Sequence, residues 1–206
     1  ALQVAQHALW DGTADMMLCG GVSMSDPVFL ESGFGAFGAL SSSSNGARPF
    51  DRTSDGLTVG DGVAMFVLKR VEDAQRDGDT ILGVIHAIQT NNAGKGGALR
   101  PDKDAEICCM QIEHAPFPEY VECHATGTPV GDKCELDAVC EVFGKDVPIG
   151  SSKGVFGHSL VCAGFAGLAK LLLAMHHEVV PPTKATDPMS KNVVTSACPW
   201  PGSKFC

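Results

Sequence analysis

Basic residues are scarce in this sequence, and the scarcity limits its partners. The 206 residues include 15 Lys and Arg against 24 Asp and Glu, which gives a formal net charge of −9 at pH 7. Without a cluster of Lys and Arg, the chain lacks the positive surface by which proteins bind nucleic acid or anionic lipid. We therefore predict neither nucleic acid nor an acidic membrane surface as a partner.

Long uninterrupted apolar runs are also missing. The longest, residues 160–175, is broken by Lys170 and is shorter than the roughly 20 residues that span a bilayer. The first residues carry no basic region of the kind that precedes the apolar core of a signal peptide. The sequence thus predicts no transmembrane segment and no secretory signal.

No two of the nine cysteines form a C-x-x-C pair. Single thiols in apolar surroundings, such as Cys19 and Cys162, are typical of a reducing intracellular compartment, here the cytoplasm or a plastid. One grouping, Cys108 and Cys109 with His114, contains zinc-ligand residue types, but its spacing matches no standard zinc site. We predict no metal site.

Apolar residues and glycine are plentiful, and their order predicts an α/β fold in one domain. The expected strands cover 16–19, 63–68, 81–88, 120–123 and 147–151, and the expected helices cover 1–10, 72–76, 132–143 and 160–177. The first helix has no N-cap, so we expect the chain to be a piece of something longer. Residues 33–38 match G-x-G-x-x-G, but no strand precedes them and Ser41–Ser44 follow, which favours turn glycines over a dinucleotide site.

The first segment with candidate catalytic residues begins at His124. This histidine follows a predicted strand and opens a loop of small residues with two hydroxyls, Thr126 and Thr128. The loop leads into a helix whose first turn carries Asp132 and Glu135. The dipole at that helix N-terminus predicts that both carboxylates stay ionised and orient a base or a lysine. Simple capping of the helix is the alternative explanation for the acid pair.

The second segment contains Lys153 and His158. A predicted strand ends in a Ser/Gly turn that holds Lys153, and His158 stands at the start of the long helix. The helix dipole disfavours an imidazolium there, so we predict a neutral His158 that donates a hydrogen bond to a developing oxyanion. The alternative is a buried helix with a capping histidine.

Four motifs in this order make the chain resemble the condensing enzymes, specifically the β-ketoacyl synthase (ketosynthase) domain of polyketide and multifunctional fatty-acid synthases. They are Ala14-Asp15 to Gly20-Gly21-Val-Ser, Arg48-Pro-Phe-Asp51 with Asp55-Gly and Gly60-Asp61-Gly62, Glu122-Cys-His124-Ala-Thr-Gly-Thr128-Pro-Val-Gly-Asp132, and Ser152-Lys153-Gly-Val-Phe-Gly157-His158. The second, third and fourth are similar to R-P-F-D…D-G…G-E-G, E-A-H-G-T-G-T-P-x-G-D and S-x-K-x-x-x-G-H.

The resemblance implies a thiolase-like layered α/β/α/β/α fold, present here in part. Residues 1–206 would be one partial ketosynthase-like domain, with 1–88 resembling the segment after the nucleophile helix and 120–182 the half with the catalytic His and Lys. It also implies a homodimer or a larger complex, and an acyl carrier protein as partner. The reaction would be decarboxylative Claisen condensation: a malonyl group on carrier-protein phosphopantetheine loses carbon dioxide, and the carbanion attacks an enzyme-bound acyl thioester. No bound metal or redox cofactor is implied.

The resemblance also implies roles for individual residues. His124 and His158 would polarise the malonyl thioester carbonyl and stabilise the enolate. Lys153 would keep this pair in order with support from Glu135 and Asp132. A further implication is that Thr126 and Thr128 hydrogen-bond the pantetheine arm.

Two features depart from the family pattern. The nucleophilic cysteine would lie just before Ala1, and the glycine-rich segment that supplies oxyanion-hole N–H groups has no counterpart before Cys206. The first hypothesis is therefore a fragment of an active ketosynthase, with this chain alone inactive. The alternatives are a catalytically inactive ketosynthase-like subunit of an assembly and, with a poorer match to the motifs, a thiolase-like enzyme acting on coenzyme A esters.

Overall fold

The structure is a computed structural model that describes residues 1–94, 100–113 and 115–202. Its helices are Leu2–Trp10 (α1), Ser32–Ala36 (α2), Val71–Asp77 (α3), Lys103–Met110 (α4), Pro129–Phe143 (α5), Lys153–Phe156 (α6) and Ala163–His177 (α7). Its strands are Met17–Ser23 (β1), Gly62–Leu68 (β2), Val121–Glu122 (β3), Ile149–Gly150 (β4), Val179–Val180 (β5) and Cys198–Pro199 (β6). A π-helical turn at Pro27–Glu31 precedes α2, and a 3-10 turn at Leu160–Cys162 precedes α7.

Strands β1 and β2 form an antiparallel pair that runs from Met17 opposite Leu68 to Ser23 opposite Gly62. One face of this pair is covered by helices. Cys19 of β1 packs in a cluster with residues of α1 and α7, and the Phe66 and Phe165 rings stack with centroids 6.1 Å apart. Helices α1 and α7 therefore share one layer on the sheet, as expected for a layered α/β fold.

The second core surrounds α5 and the parallel pair β3 and β4. Pro129 occupies the first turn of α5, where a missing N–H costs nothing, and Gly144 follows the helix with φ 81°. Leu136 and Val139, on one face of α5, are buried against β4 and the segment around Phe50. This packing brings the end of β3, where His124 follows, close to the amino end of α5.

Most of the predicted elements are confirmed, with ends shifted by a few residues. The strand predicted at 81–88 is wrong: the structure assigns no strand to these residues, and Leu82 and Val84 are exposed. Helix α4 is unpredicted, because glycines and prolines on both sides obscure it. Its amino end is capped by Asp102, which accepts the Ala105 N–H. The G-x-G-x-x-G stretch lies in α2 and a turn, after a π-helical turn instead of a strand.

One helical stretch has the length and composition of a membrane span. It covers Leu160–His177, which are 18 residues with mean hydropathy 1.5, and 22% of it is buried. The apolar core helix of a folded domain has the same properties. Here α7 packs on β1 and β2 and carries Lys170 in an ion pair with Glu122, so the absence of a membrane span stays our prediction.

Candidate active site

The loop after β3 is held by the carboxylate of Asp132, which is fully buried in the first turn of α5. Asp132 Oδ1 accepts the backbone N–H groups of Thr126 and Gly127 at 3.0 and 3.1 Å. Its Oδ2 accepts the N–H of Phe50 at 2.7 Å. Burial raises the pKa of Asp132, while the backbone N–H groups that it accepts lower it. Asp132 thus joins α5, the loop after β3 and the segment around Phe50.

Glu135, one turn later on α5, holds the next part of the same loop. Its Oε1 accepts the His124 N–H at 2.6 Å and its Oε2 accepts the Ala125 N–H at 2.7 Å. Burial raises the pKa of Glu135 to about 7 even though these two bonds favour the charged form. The expectation that the helix dipole keeps Glu135 fully ionised is therefore wrong, because desolvation outweighs the dipole and brings its pKa close to 7. Burial also shifts the pKa of Asp132 upward, opposite to the direction expected from the dipole.

The two predicted histidines lie together. The rings of His124 and His158 are 5.1 Å apart between centroids and nearly perpendicular, at 86°. Loss of hydration lowers the pKa of each to about 4, and the positive charge of Lys153 contributes to the shift in both. Both rings are therefore neutral at pH 7, and each carries one N–H that can donate. The predicted neutrality of His158 agrees with this pKa, although burial and Lys153 replace the helix dipole as its cause.

Lys153 is buried at the amino end of α6, with 5% of its surface exposed. Its ammonium donates to the Cys123 carbonyl, one residue before His124, at 3.5 Å. Burial lowers the pKa of Lys153, while the negative charges of Glu122 and Glu135 raise it. The carboxylates of Asp132 and Glu135 bind backbone N–H groups. They act on Lys153 only through their negative charge, which raises its pKa.

The segment around 48–62 fixes His158 through its backbone. His158 N–H donates to the Thr58 carbonyl at 2.7 Å, and Gly60 N–H donates to the His158 carbonyl at 3.2 Å. A Cβ atom at Gly60 would overlap the Phe156 carbonyl oxygen, so the two chain segments approach this closely only with glycine there. The R-P-F-D…G-D-G motif therefore acts as a scaffold for His158.

Asp51 ties that segment to the chain after β5. Its fully buried carboxylate accepts N–H and hydroxyl hydrogens from Thr53 and Thr186, and the N–H of Asp187. Burial opposes ionisation, but these hydrogen bonds outweigh it and lower the pKa of Asp51. The carboxylate therefore stays charged and anchors both segments.

The hydroxyls of Thr126 and Thr128 are 3.1 Å apart in the loop that follows His124. Thr126 is buried, and Thr128 is half-buried at the start of α5. Gly127 between them has φ 90°, and a side chain there would strike the Gly56 carbonyl oxygen at 2.7 Å. The pair is thus held by tight backbone packing, and its contact with a pantetheine arm stays a prediction.

Sequence reasoning missed a second layer of polar residues behind the site, made of Tyr120, Glu122 and Lys170. Lys170 and Glu122 form an ion pair of 2.6 Å. The signal was present, because Lys170 is the one charge that interrupts the apolar stretch 160–175.

No metal centre is assigned within the described ranges 1–94, 100–113 and 115–202, where no group of three or more His, Cys, Asp or Glu could hold an ion. Cys108 and Cys109 lie on α4, and His114 lies outside those ranges.

Comparison with known families identifies the family of this chain. Residues 1–74 match the β-ketoacyl synthase N-terminal domain, and residues 82–187 match the β-ketoacyl synthase C-terminal domain. These matches and the fold define a ketosynthase domain of the thiolase-like class. The chain belongs to the β-ketoacyl synthase family.

Two curated relatives support this family assignment. The chain is 45% identical to one subunit of the polyunsaturated fatty acid synthase of Thraustochytrium sp., over 97% of this chain and 10% of that protein. It is 36% identical to a mycocerosic acid synthase-like polyketide synthase of Mycolicibacterium smegmatis, over 98% of this chain and 10% of that protein. The chain therefore spans about a tenth of the length of these relatives.

Solved structures share the fold. A ketosynthase–chain length factor structure titled PfaC superposes with a TM-score of 0.89 at 35% identity, covering 97% of this chain and 24% of that one. The ketosynthase from module 6 of the bacillaene synthase of Bacillus subtilis 168 gives a TM-score of 0.87 at 32% identity, covering 98% of this chain and 40% of that one. The predicted thiolase-like α/β fold is confirmed.

Proposed function

We propose that this chain carries the decarboxylation half of a β-ketoacyl synthase site in a longer polyketide or fatty-acid synthase. The observation that carries the proposal is the pair of neutral, perpendicular histidines, His124 and His158, with buried Lys153 beside them. Two neutral imidazoles this close together can each donate an N–H to the oxyanion that forms on a thioester carbonyl when carbon dioxide leaves.

The rest of the site supports that chemistry by position. Glu135 and Asp132 hold the His124 loop by its backbone, and the ammonium of Lys153 helps to keep both rings neutral by adding positive charge nearby. The proposal keeps the role that the family resemblance implies for Thr126 and Thr128, which is to hydrogen-bond the pantetheine arm that brings the malonyl thioester. The substrate then arrives on an acyl carrier protein, and the chain needs no bound cofactor of its own.

Condensation itself needs an acylated cysteine, which the family resemblance places before Ala1. We infer that the full reaction belongs to a longer protein, acting as a homodimer or within a larger complex, because the chain spans only about a tenth of the length of its relatives. One structural neighbour of this chain is a complex between a type II polyketide synthase acyl-carrier protein and its ketosynthase.

The test is release of carbon dioxide from malonyl-carrier protein by the full-length protein that contains this chain. His124→Ala and His158→Ala should each lower the rate by a factor on the order of 100 to 1000, as expected for one lost oxyanion donor. His176→Ala, an exposed histidine at the end of α7, is the matched control and should leave the rate unchanged. A wild-type protein that binds carrier protein but releases no carbon dioxide would instead support an inactive, ketosynthase-like subunit.

A further inference from the structure

A buried ion pair lies behind the turn that carries the catalytic lysine. Lys170 Nζ of α7 contacts Glu122 Oε2 at 2.6 Å, with 9% and 7% of the two side chains exposed. Lys170 also donates to the Tyr120 hydroxyl at 2.7 Å, and that hydroxyl donates to Glu122 Oε2 at 3.1 Å. One carboxylate oxygen of Glu122 is therefore fixed by two donors.

The other oxygen of Glu122 faces the active site. Glu122 Oε1 accepts the backbone N–H of Ser152 at 2.7 Å, and Ser152 is the residue before Lys153 at the start of α6. The space for this side chain comes from Gly167 on α7, where a Cβ atom would stand 3.2 Å from Glu122 Cγ. The carboxylate thus bridges α7 and the turn that presents Lys153.

Both lysines are influenced by this one carboxylate, Lys170 through direct contact and Lys153 through its charge. The negative charge of Glu122 also acts on Lys153, where it is the strongest of the charges that favour the protonated ammonium. A buried carboxylate that loses its cation seeks another partner, because an unpaired buried charge is costly. Without Lys170, Glu122 would turn toward Lys153 and give up the Ser152 N–H.

We propose that Lys170 is a positioning residue that anchors Glu122 on the Ser152 N–H and thereby fixes the turn carrying Lys153. Lys170 touches no reacting atom and acts through Glu122. Only the expected effect of Lys170 on the decarboxylation rate rests on the proposed function. Its effect on the geometry of the turn can be measured without turnover.

The experiment compares Lys170→Met with Lys170→Arg in the full-length protein. The first readout is hydrogen–deuterium exchange of the Ser152 amide, which should rise by a factor on the order of 10 in Lys170→Met and stay unchanged in Lys170→Arg. The second is malonyl decarboxylation, where Lys170→Met should lower kcat by a factor of about 10 to 100 while KM changes little, as expected for a misplaced catalytic group.

Two further variants complete the test. Lys191→Met removes an exposed pair with Asp146 and should alter neither readout. The double variant Glu122→Gln with Lys170→Met removes both charges of the ion pair, and its amide oxygen still accepts the Ser152 N–H, so it should regain the slow exchange and part of the rate.

The outcomes separate the two proposals. Unchanged Ser152 exchange in Lys170→Met, or a double variant no better than the single one, would overturn the role of Lys170. A wild-type protein without decarboxylation would overturn the proposed function, while the exchange measurement would still decide the role of Lys170.

Discussion

The carboxylate of Glu135 accepts the backbone N–H of His124 at 2.6 Å, so an acid in the first turns of α5 sets the position of a histidine in the site. The same carboxylate accepts the N–H of Ala125 at 2.7 Å. Because burial raises the pKa of Glu135 to about 7, the charge on this anchor changes near neutral pH. The state of the histidine loop is therefore coupled to one titrating group.

We expect Glu135→Gln to flatten the dependence of stability on pH. The pKa of Glu135 is about 7 in the folded chain and roughly 4.3 when unfolded, so the folded state binds more protons in between. The stability that this group contributes is complete below about pH 4.3 and is lost as pH rises through 7. Urea unfolding of the ketosynthase domain from pH 5 to pH 8 should show a smaller decrease for Glu135→Gln than for wild type.

The control for that series is Glu141→Gln, which removes an exposed pair with Lys103. Its curve should run parallel to the wild-type curve. A Glu135→Gln curve that is also parallel to wild type would mean that Glu135 titrates normally in the fold.

Asp132→Asn should be among the most damaging single-atom changes in the chain. The fully buried carboxylate accepts N–H groups from Phe50, Thr126 and Gly127, and an amide would turn an N–H group against some of these donors. We expect a loss of about 2–4 kcal/mol in the free energy of unfolding, measured in urea. Asp137→Asn, whose partner is the exposed Lys133, should cost about 0–1 kcal/mol. Equal losses in the two variants would contradict the role of Asp132.

Sequence patterns predict the residues that line this site but not the ion pair that lies behind them. His124, Lys153 and His158 are visible because polar residues at strand ends and helix starts fall in recognisable motifs. Glu122 opens one of these motifs and Lys170 interrupts an apolar stretch, yet neither signal shows that the two residues form a pair, because that depends on how distant segments of the chain pack.

The same distinction holds for the fold. Helix α5 is predicted from its apolar face and its glycine stop, because both signals are local. The strand expected at 81–88 is not formed, because a strand needs a hydrogen-bonded neighbour and composition does not show whether one is present.

Gly60→Ala should disturb His158 without touching it. The new methyl group would overlap the Phe156 carbonyl oxygen, which forces apart the backbone pairing between 58–60 and His158. We expect decarboxylation to fall by a factor on the order of 100, with a stability loss of about 1–3 kcal/mol from overpacking. Gly33→Ala, where nothing lies within 4 Å, should change neither quantity. Full activity in Gly60→Ala would show that the pairing does not position His158.

Thr128→Val should weaken substrate binding more than turnover. Thr128 is half-buried, with its hydroxyl 3.1 Å from that of Thr126, where the family resemblance places the pantetheine arm. Loss of one hydrogen bond predicts a rise of about 5- to 10-fold in KM for malonyl-carrier protein with kcat nearly unchanged. Thr195→Val, an exposed threonine, serves as the control. A fall in kcat at constant KM would place Thr128 in the chemical step instead.

Replacement of Lys153 by an uncharged residue should shift the acid limb of the pH dependence of decarboxylation to higher pH. The pKa values of His124 and His158 are about 4 because burial and then the Lys153 ammonium disfavour imidazolium. Lys153→Met removes the charge, so both values should rise toward the ordinary value of about 6.5 and the residual decarboxylation should decline at a higher pH than in wild type. Lys153→Arg keeps the charge, so its acid limb should stay near the wild-type position even if the variant reacts slowly. The measurement is kcat/KM for malonyl-carrier protein from pH 4 to pH 8. An acid limb that stays in place in Lys153→Met would mean that the charge of Lys153 is not what holds the histidines neutral, and that Lys153 serves only to place them.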